Sequence, residues 1–212
     1  MTPEEITARE QIVIAGAALT ARGLAHGTAG NISIRLDDGI LVTPTNSSLG
    51  TLDAARLTKL DFNGTYVSGD LPSKEGFMHL ASYQRRPQDS AVVHLHCSHS
   101  VAVSSLADID ADNPIPPITP YFVMRVGKVQ MLPYFRPGDR ALADAIASVD
   151  PARHAVLLAN HGPVVSGHSL NNSIAAIEEL EETAKLFLLL GGRAVRTLNA
   201  DQLADLAHHF PS

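Results

Sequence analysis

Tryptophan is absent from the chain, cysteine occurs once, and aromatic residues make up only 5% of the 212 residues. The single cysteine, Cys97, excludes an internal disulfide and suits a reducing compartment. Sixteen Lys and Arg face 22 Asp and Glu, a formal net charge of −6, with no basic cluster or aromatic stacking motif. Nucleic acid is therefore excluded as the expected partner. Long hydrophobic runs are missing too, since IVIAGAAL at 12–19 is too short to span a bilayer. The opening residues, MTPEEITARE, are acidic where a signal peptide is basic, so a cytoplasmic location is expected. There is no repeat, low-complexity tract or linker. What is present is 45% hydrophobic residues, enough for a core, and residues 1–212 are expected to form a single domain.

Along the chain, residues 3–22 read as an amphipathic helix with Ile6, Ile12, Val13, Ala17 and Leu19 toward one side and Gly23 ending it. Strands are expected at 31–36 and 40–45 around the Asp37-Asp38-Gly39 turn, then at 58–62 and across Asn63-Gly64 into TYVS. A helix over 76–85 precedes a strand carrying His94 and His96, and a short helix follows near 98–106. Four prolines in 110–120 predict an extended loop. Beyond it come a strand near 129–134, a helix over 138–148, a strand over 155–160 and a hairpin opened by Gly162. In the long helix predicted at 170–190, Leu170, Ile174, Ile177, Leu180, Ala184 and Phe187 share a face. Glu178, Glu181, Glu182 and Lys185 are expected to face out, with Glu181 and Lys185 paired at i, i+4. A last helix is expected at 200–209. The sum is an α/β/α layered fold with a mostly antiparallel sheet.

Histidine is where the chemistry gathers. His94 and His96, at i, i+2 in the β-branched run AVVHLHC, leave the same face of a strand, whereas a helix would part them. His161 follows another apolar strand in LLANHGP, and Glu75 offers a carboxylate from a Ser-Lys-Glu turn. Any one of these histidines alone is more simply a packed residue. Together with Glu75 they form a zinc-type donor set with a position open for water or substrate. His99 lies beyond Cys97 at a helix start and is not assigned as a ligand; His26, His79, His154, His168, His208 and His209 show no partner pattern. Three turns, 27–31, 43–46 and 72–74, are rich in small residues, hydroxyls and free N–H groups of the kind that cradle a phosphate. Lys74 adds a charge, and Asn31 follows Gly30 directly into a strand.

The segments GTAGNIS (27–33), TPTN (43–46), PSKE (72–75), AVVHLH (91–96) and LLANHG (157–162), in that order, resemble the class II aldolase/adducin family. The resemblance runs from about residue 8 to 190. It implies an α/β/α fold, a homotetramer with the site near a subunit interface, and Zn²⁺ (Mn²⁺ or Co²⁺ as alternatives) held by His94, His96 and His161. Glu75 would bind or approach the metal and act as acid/base. Gly30, Asn31, Thr45, Asn46, Ser73 and Lys74 match phosphate-binding positions, and Tyr121 resembles a tyrosine that some members bring across the interface as proton donor. Two residues depart from the sugar-phosphate aldolase pattern: Lys74 replaces a serine, and Asn46 the glycine of T-P-x-G. Longer stretches, among them TPTNSSLGTLD (43–53) and TPYFVMRVGK (119–128), are similar to a subgroup that decarboxylates 3-oxo-tetronate 4-phosphate. The implied reaction is a lyase step through a metal-stabilised enediolate that releases CO₂ and dihydroxyacetone phosphate. The same pattern also fits a fuculose-phosphate type aldolase or a ribulose-phosphate 4-epimerase. A non-catalytic adducin-like module is the remaining alternative.

Overall fold

The structure, a computed structural model, describes residues 1–210. Eight strands form one sheet: β1 (Asn31–Leu36), β2 (Gly39–Val42), β3 (Thr58–Leu60), β4 (Tyr66–Ser68), β5 (Ala91–His94), β6 (Gln130–Leu132), β7 (Ala155–Leu158) and β8 (Gly162–Gly167). Their order is β4-β3-β2-β1-β5-β8-β7-β6, and every pairing is antiparallel except β6 with β7. Among the described residues seven α-helices accompany them: α1 (Pro3–Ala21), α2 (Gly76–Arg85), α3 (Ser98–Ser104), α4 (Pro120–Arg125), α5 (Ala141–Ala147), α6 (Leu170–Leu190) and α7 (Ala200–His209).

Side-chain alternation along the strands builds two cores, one on each face of the sheet. Ile32 and Ile34 of β1, Ala91 and Val93 of β5 and Leu157 of β7 pack with Ile12 and Leu19 of α1 and Ile177 and Leu180 of α6. Val92 of β5, with Val156 and Leu158 of β7, points the other way, to Met78 of α2 and Leu142 and Ile146 of α5. The result is the expected α/β/α sandwich. No helix among the described residues is long and apolar enough to cross a membrane.

Several local expectations give way. Strand pairing stops earlier than predicted in β2, β3 and β7, and β5 ends at His94, leaving His96 outside the strand. Ile6 is 46% exposed and Ala17 lies on the outer side of α1. The buried face includes Glu5 and Arg9 instead, because their ion pair is completed by backbone and side chain: Arg9 donates to the carbonyls of Ala54 (2.7 Å) and Leu57 (3.1 Å), and Lys59 reaches Glu5 at 3.2 Å. Glu181 is buried rather than outward, for it binds the start of α3, and Lys185 sits near Glu182 (3.6 Å) instead. Helix α4 was not foreseen behind the proline run. Thr119 caps it by accepting from the Phe122 amide, and Pro120 occupies its first turn, where no N–H is needed.

Candidate metal and anion site

The histidines converge at one end of the central strands. His94 closes β5 on the α2 side of the sheet, opposite Asn31 of β1, and is fully buried. Beyond it the chain stays extended, since the Leu95 amide still donates to the Pro163 carbonyl at 3.3 Å. The period of two therefore survives the end of the strand, and Nε2 of His96 lies 3.1 Å from Nε2 of His94. His161 arrives from the β7–β8 turn, where Asn160 adopts φ +56°, a left-handed conformation that asparagine tolerates. Gly162 completes that turn at φ +146°, and a Cβ there would stand 2.4 Å from the Leu95 carbonyl oxygen. Only glycine lets the His161 turn lie against the His94–His96 segment. The three rings sit 4.6–4.9 Å apart, centroid to centroid.

Glu75 holds the N-cap position of α2, yet its side chain makes no capping bond. The carboxylate turns to the histidines instead, with Oε2 3.5 Å from Nε2 of His94 and Oε1 3.4 Å from Nε2 of His161. The Asn31 amide donates to Oε2 at 2.8 Å. Donors about 2.0–2.1 Å from one tetrahedral centre lie about 3.3 Å apart. The His94–His96, His94–Glu75 and His161–Glu75 separations match that figure, and the three histidines bring their ligand atoms within 4.8 Å of one another. Nδ1 of His94 donates to the Pro163 carbonyl at 2.8 Å, which leaves the Nε2 lone pair facing the cluster. Burial, together with the neighbouring imidazoles, keeps His94 well below the usual histidine range and takes His96 down to about 4. Both are neutral at pH 7, the form that ligates a cation. The donor set and its spacing fit a divalent metal.

The three small-residue turns meet beside Glu75. Pro44 bridges to Pro72, the Thr45 amide donates to the Leu71 carbonyl at 3.0 Å, and the Asn31 amide also reaches Ser73 Oγ at 3.4 Å. Ser73 Oγ further accepts from the Glu75 amide at 3.3 Å. Gly30, at φ +83°, lets this edge approach β5, for a Cβ would meet the His94 carbonyl oxygen at 2.8 Å. Asn46 stands at φ +56°, so the residue that departs from the aldolase pattern keeps the backbone conformation a glycine would supply. Lys74 is exposed and has no ion-pair partner among the described residues. Beyond the histidines opens a cleft of about 620 Å³, lined by His26, His96, Tyr134, Phe135, Asn160 and His161 among others. Tyr121 does not line it; the ring is exposed in the first turn of α4, beneath the Arg125 guanidinium.

Sequence reasoning passed over His79. It is fully buried and bonded on both ring nitrogens, to Asn31 and to Ser33. The sequence carries only part of the signal: Glu75, His79 and Tyr83 fall at i, i+4, i+8 and Asn31 and Ser33 at i, i+2, but the pairing of the two sets comes from the fold. Cys97 is buried and its thiol is pushed up by that burial, which keeps it protonated at neutral pH. His99 is held by Glu181 at 2.8 Å, away from the metal donors.

Comparison with known proteins agrees with this geometry. A 3-oxo-tetronate 4-phosphate decarboxylase from Pectobacterium atrosepticum is 50% identical over 204 residues, 96% of this chain and 94% of that protein. An L-fuculose phosphate aldolase from Escherichia coli is more distant, 37% identical over 180 residues, 84% of this chain and 81% of the aldolase. The crystal structure of YgbL from Klebsiella pneumoniae matches with a TM-score of 0.92 at 49% identity, covering 97% of this chain and 99% of YgbL. Residues 10–188 match the model for the class II aldolase and adducin N-terminal domain. The chain belongs to the class II aldolase/adducin family.

Proposed function

We propose that the chain is a metal-dependent carboxy-lyase that converts 3-oxo-tetronate 4-phosphate to dihydroxyacetone phosphate and CO₂. The observation that carries this is the Glu75 carboxylate set between His94 and His161, directly after the Ser73-Lys74 turn. A metal donor set and an anion cradle one residue apart suit a small phosphorylated substrate with chelating oxygens. Relatives near 50% identity bear the decarboxylase name, whereas the aldolases stand at 37%.

His94, His96 and His161, with Glu75 as a fourth donor, would hold Zn²⁺, with Mn²⁺ or Co²⁺ as substitutes. When bound, the cation would supply Lewis-acid stabilisation where negative charge develops, at the C3 oxygen. The turns at Gly30, Asn31, Thr45, Asn46 and Ser73 bind the phosphate through backbone N–H groups and hydroxyls, and Lys74 matches its charge. The C1–C2 bond breaks, CO₂ departs with C1, and the electron pair at C2 spreads toward the C3 oxygen. Glu75, released from the donor set as substrate oxygens replace it and protonated from solvent water, delivers the proton that closes C2, and the Asn31 amide orients its carboxyl group. Tyr121 is the second proton-donor candidate. Its exposed position away from its own cleft suits delivery to a neighbouring subunit of a homotetramer. The chain works in the cytoplasm on this reading.

A fuculose-phosphate type aldolase would use the same site, since aldol cleavage yields the same kind of enediolate. Two parallel assays separate the readings. Metal-loaded protein with 3-oxo-tetronate 4-phosphate is expected to release CO₂ and dihydroxyacetone phosphate in equal amounts. Condensation of dihydroxyacetone phosphate with an aldehyde, without that release, would replace decarboxylase by aldolase.

A further inference from the structure

Behind the Glu75 carboxylate runs a buried polar chain that neither the metal donors nor the anion turns explain. Asn31 Oδ1 lies 2.5 Å from Nε2 of His79, and Nδ1 of His79 lies 2.6 Å from Ser33 Oγ. Ser33 Oγ is 2.8 Å from the Tyr83 hydroxyl. All four residues are at most 4% exposed and sit in the face otherwise filled by Val42, Met78 and Val92. Polar groups in such a place are costly unless every one is paired.

The pairing has a single direction. An Asn31 amide turned the other way would set its carbonyl oxygen against the Glu75 carboxylate, so its NH₂ faces Glu75 and its oxygen faces His79. Nε2 of His79 must then carry the proton, and Nδ1 accepts from Ser33. Ser33 in turn accepts from Tyr83. Every donor in the chain points toward Glu75.

We propose that His79, backed by Ser33 and Tyr83, is a positioning residue: it locks the Asn31 amide so that its N–H groups hold the Glu75 carboxylate in line with the histidines. The second Asn31 N–H reaches Ser73 Oγ, so one amide ties the metal half of the site to the anion half. This rests on the reading of Glu75 as metal donor and proton carrier.

The test is titration of metal-free protein with Co²⁺, read by its visible d–d absorption, alongside steady-state kinetics. His79→Gln keeps an N–H donor near the Nε2 position, and His79→Phe keeps the ring without one. His79→Phe is expected to lose about 10–100-fold in Co²⁺ affinity and in kcat, the usual effect of removing an outer-shell partner. His79→Gln recovers most of both losses at an equal cost in melting temperature. Ser33→Ala, a smaller change, moves both readouts in the same direction as His79→Phe and decides the matter if that variant does not fold. Wild-type Co²⁺ affinity and kcat in His79→Phe would overturn the proposal. Equal losses in His79→Gln and His79→Phe would do so too. A wild-type protein that binds no Co²⁺ would overturn the metal reading itself, so the two failures are distinct.

Discussion

Lys74 brings a full charge to a turn whose other donors are neutral, and no carboxylate pairs with it among the described residues. A phosphate keeps its charge throughout the reaction, so a cation on it binds ground and transition states alike. Lys74→Ala is therefore expected to raise KM with kcat nearly unchanged, as initial-rate kinetics will show. A fall in kcat at constant KM would place Lys74 on the departing carboxylate instead. His79 gives a second expectation, in acid. Burial holds it down to about 3, against 6.5 when the chain is unfolded. The unfolded chain thus binds the extra proton between those values. Stability is full above pH 6.5 and falls as pH falls toward 3, by about 1.4 kcal/mol per pH unit for this one group. Urea unfolding at pH 7 and pH 5 should show a shallower loss in His79→Gln than in wild type; equal slopes would contradict this. The metal donors were legible because spacing and neighbouring motifs marked them. His79 was not, because its partners on β1 lie more than 40 residues away and only folding brings them within reach.

Helix α3 is short, and its N-cap residue, Cys97, offers no side-chain bond. Glu181 of α6 supplies the cap, accepting from the amides of His99 (2.9 Å) and Ser100 (2.8 Å) and from Ser100 Oγ (2.7 Å). A carboxylate at a helix N-terminus is favoured by both the free N–H groups and the dipole. Glu181→Ala strands these buried donors and should cost about 2–3 kcal/mol in urea unfolding, with Glu181→Gln in between. Charge alone assigned Glu181 to solvent; the helical period, four residues after Ile177 and seven after Ile174, already sets it on the apolar face. The helix packed against it decides which one is buried. Strand β1 and helix α2 were read to the residue, because alternation and turn signals are local, whereas β2, β3 and β7 stop short where pairing with a distant neighbour ends. Helix α4 was hidden because its Thr119-Pro120 start sits at the end of a proline run that argues for loop.

On the proposed reading, the whole molecule joins a metal donor set and an anion cradle at one end of the central strands of an eight-stranded sheet, while Tyr121 is exposed on α4. If Tyr121 serves a neighbour's cleft, Glu75→Gln and Tyr121→Phe disable different halves of each shared site. Each variant alone should lose about 10²–10⁴-fold in turnover. Subunits mixed and reassembled should recover about a quarter of wild-type activity, the share of interfaces with both groups intact. A mixture as inactive as its parts would put the whole site in one subunit. Family segments carried this expectation, since the residues that meet across an interface leave no periodic mark in a single chain. On the proposed reading, this one site breaks the C1–C2 bond of a phosphorylated 3-oxo acid. The most direct measurement of that step uses 3-oxo-tetronate 4-phosphate labelled with carbon-13 at C1. The expected result is metal-dependent release of all the label as CO₂, with unlabelled dihydroxyacetone phosphate left behind. Label retained in the sugar phosphate, or release that survives removal of the metal, would contradict the account.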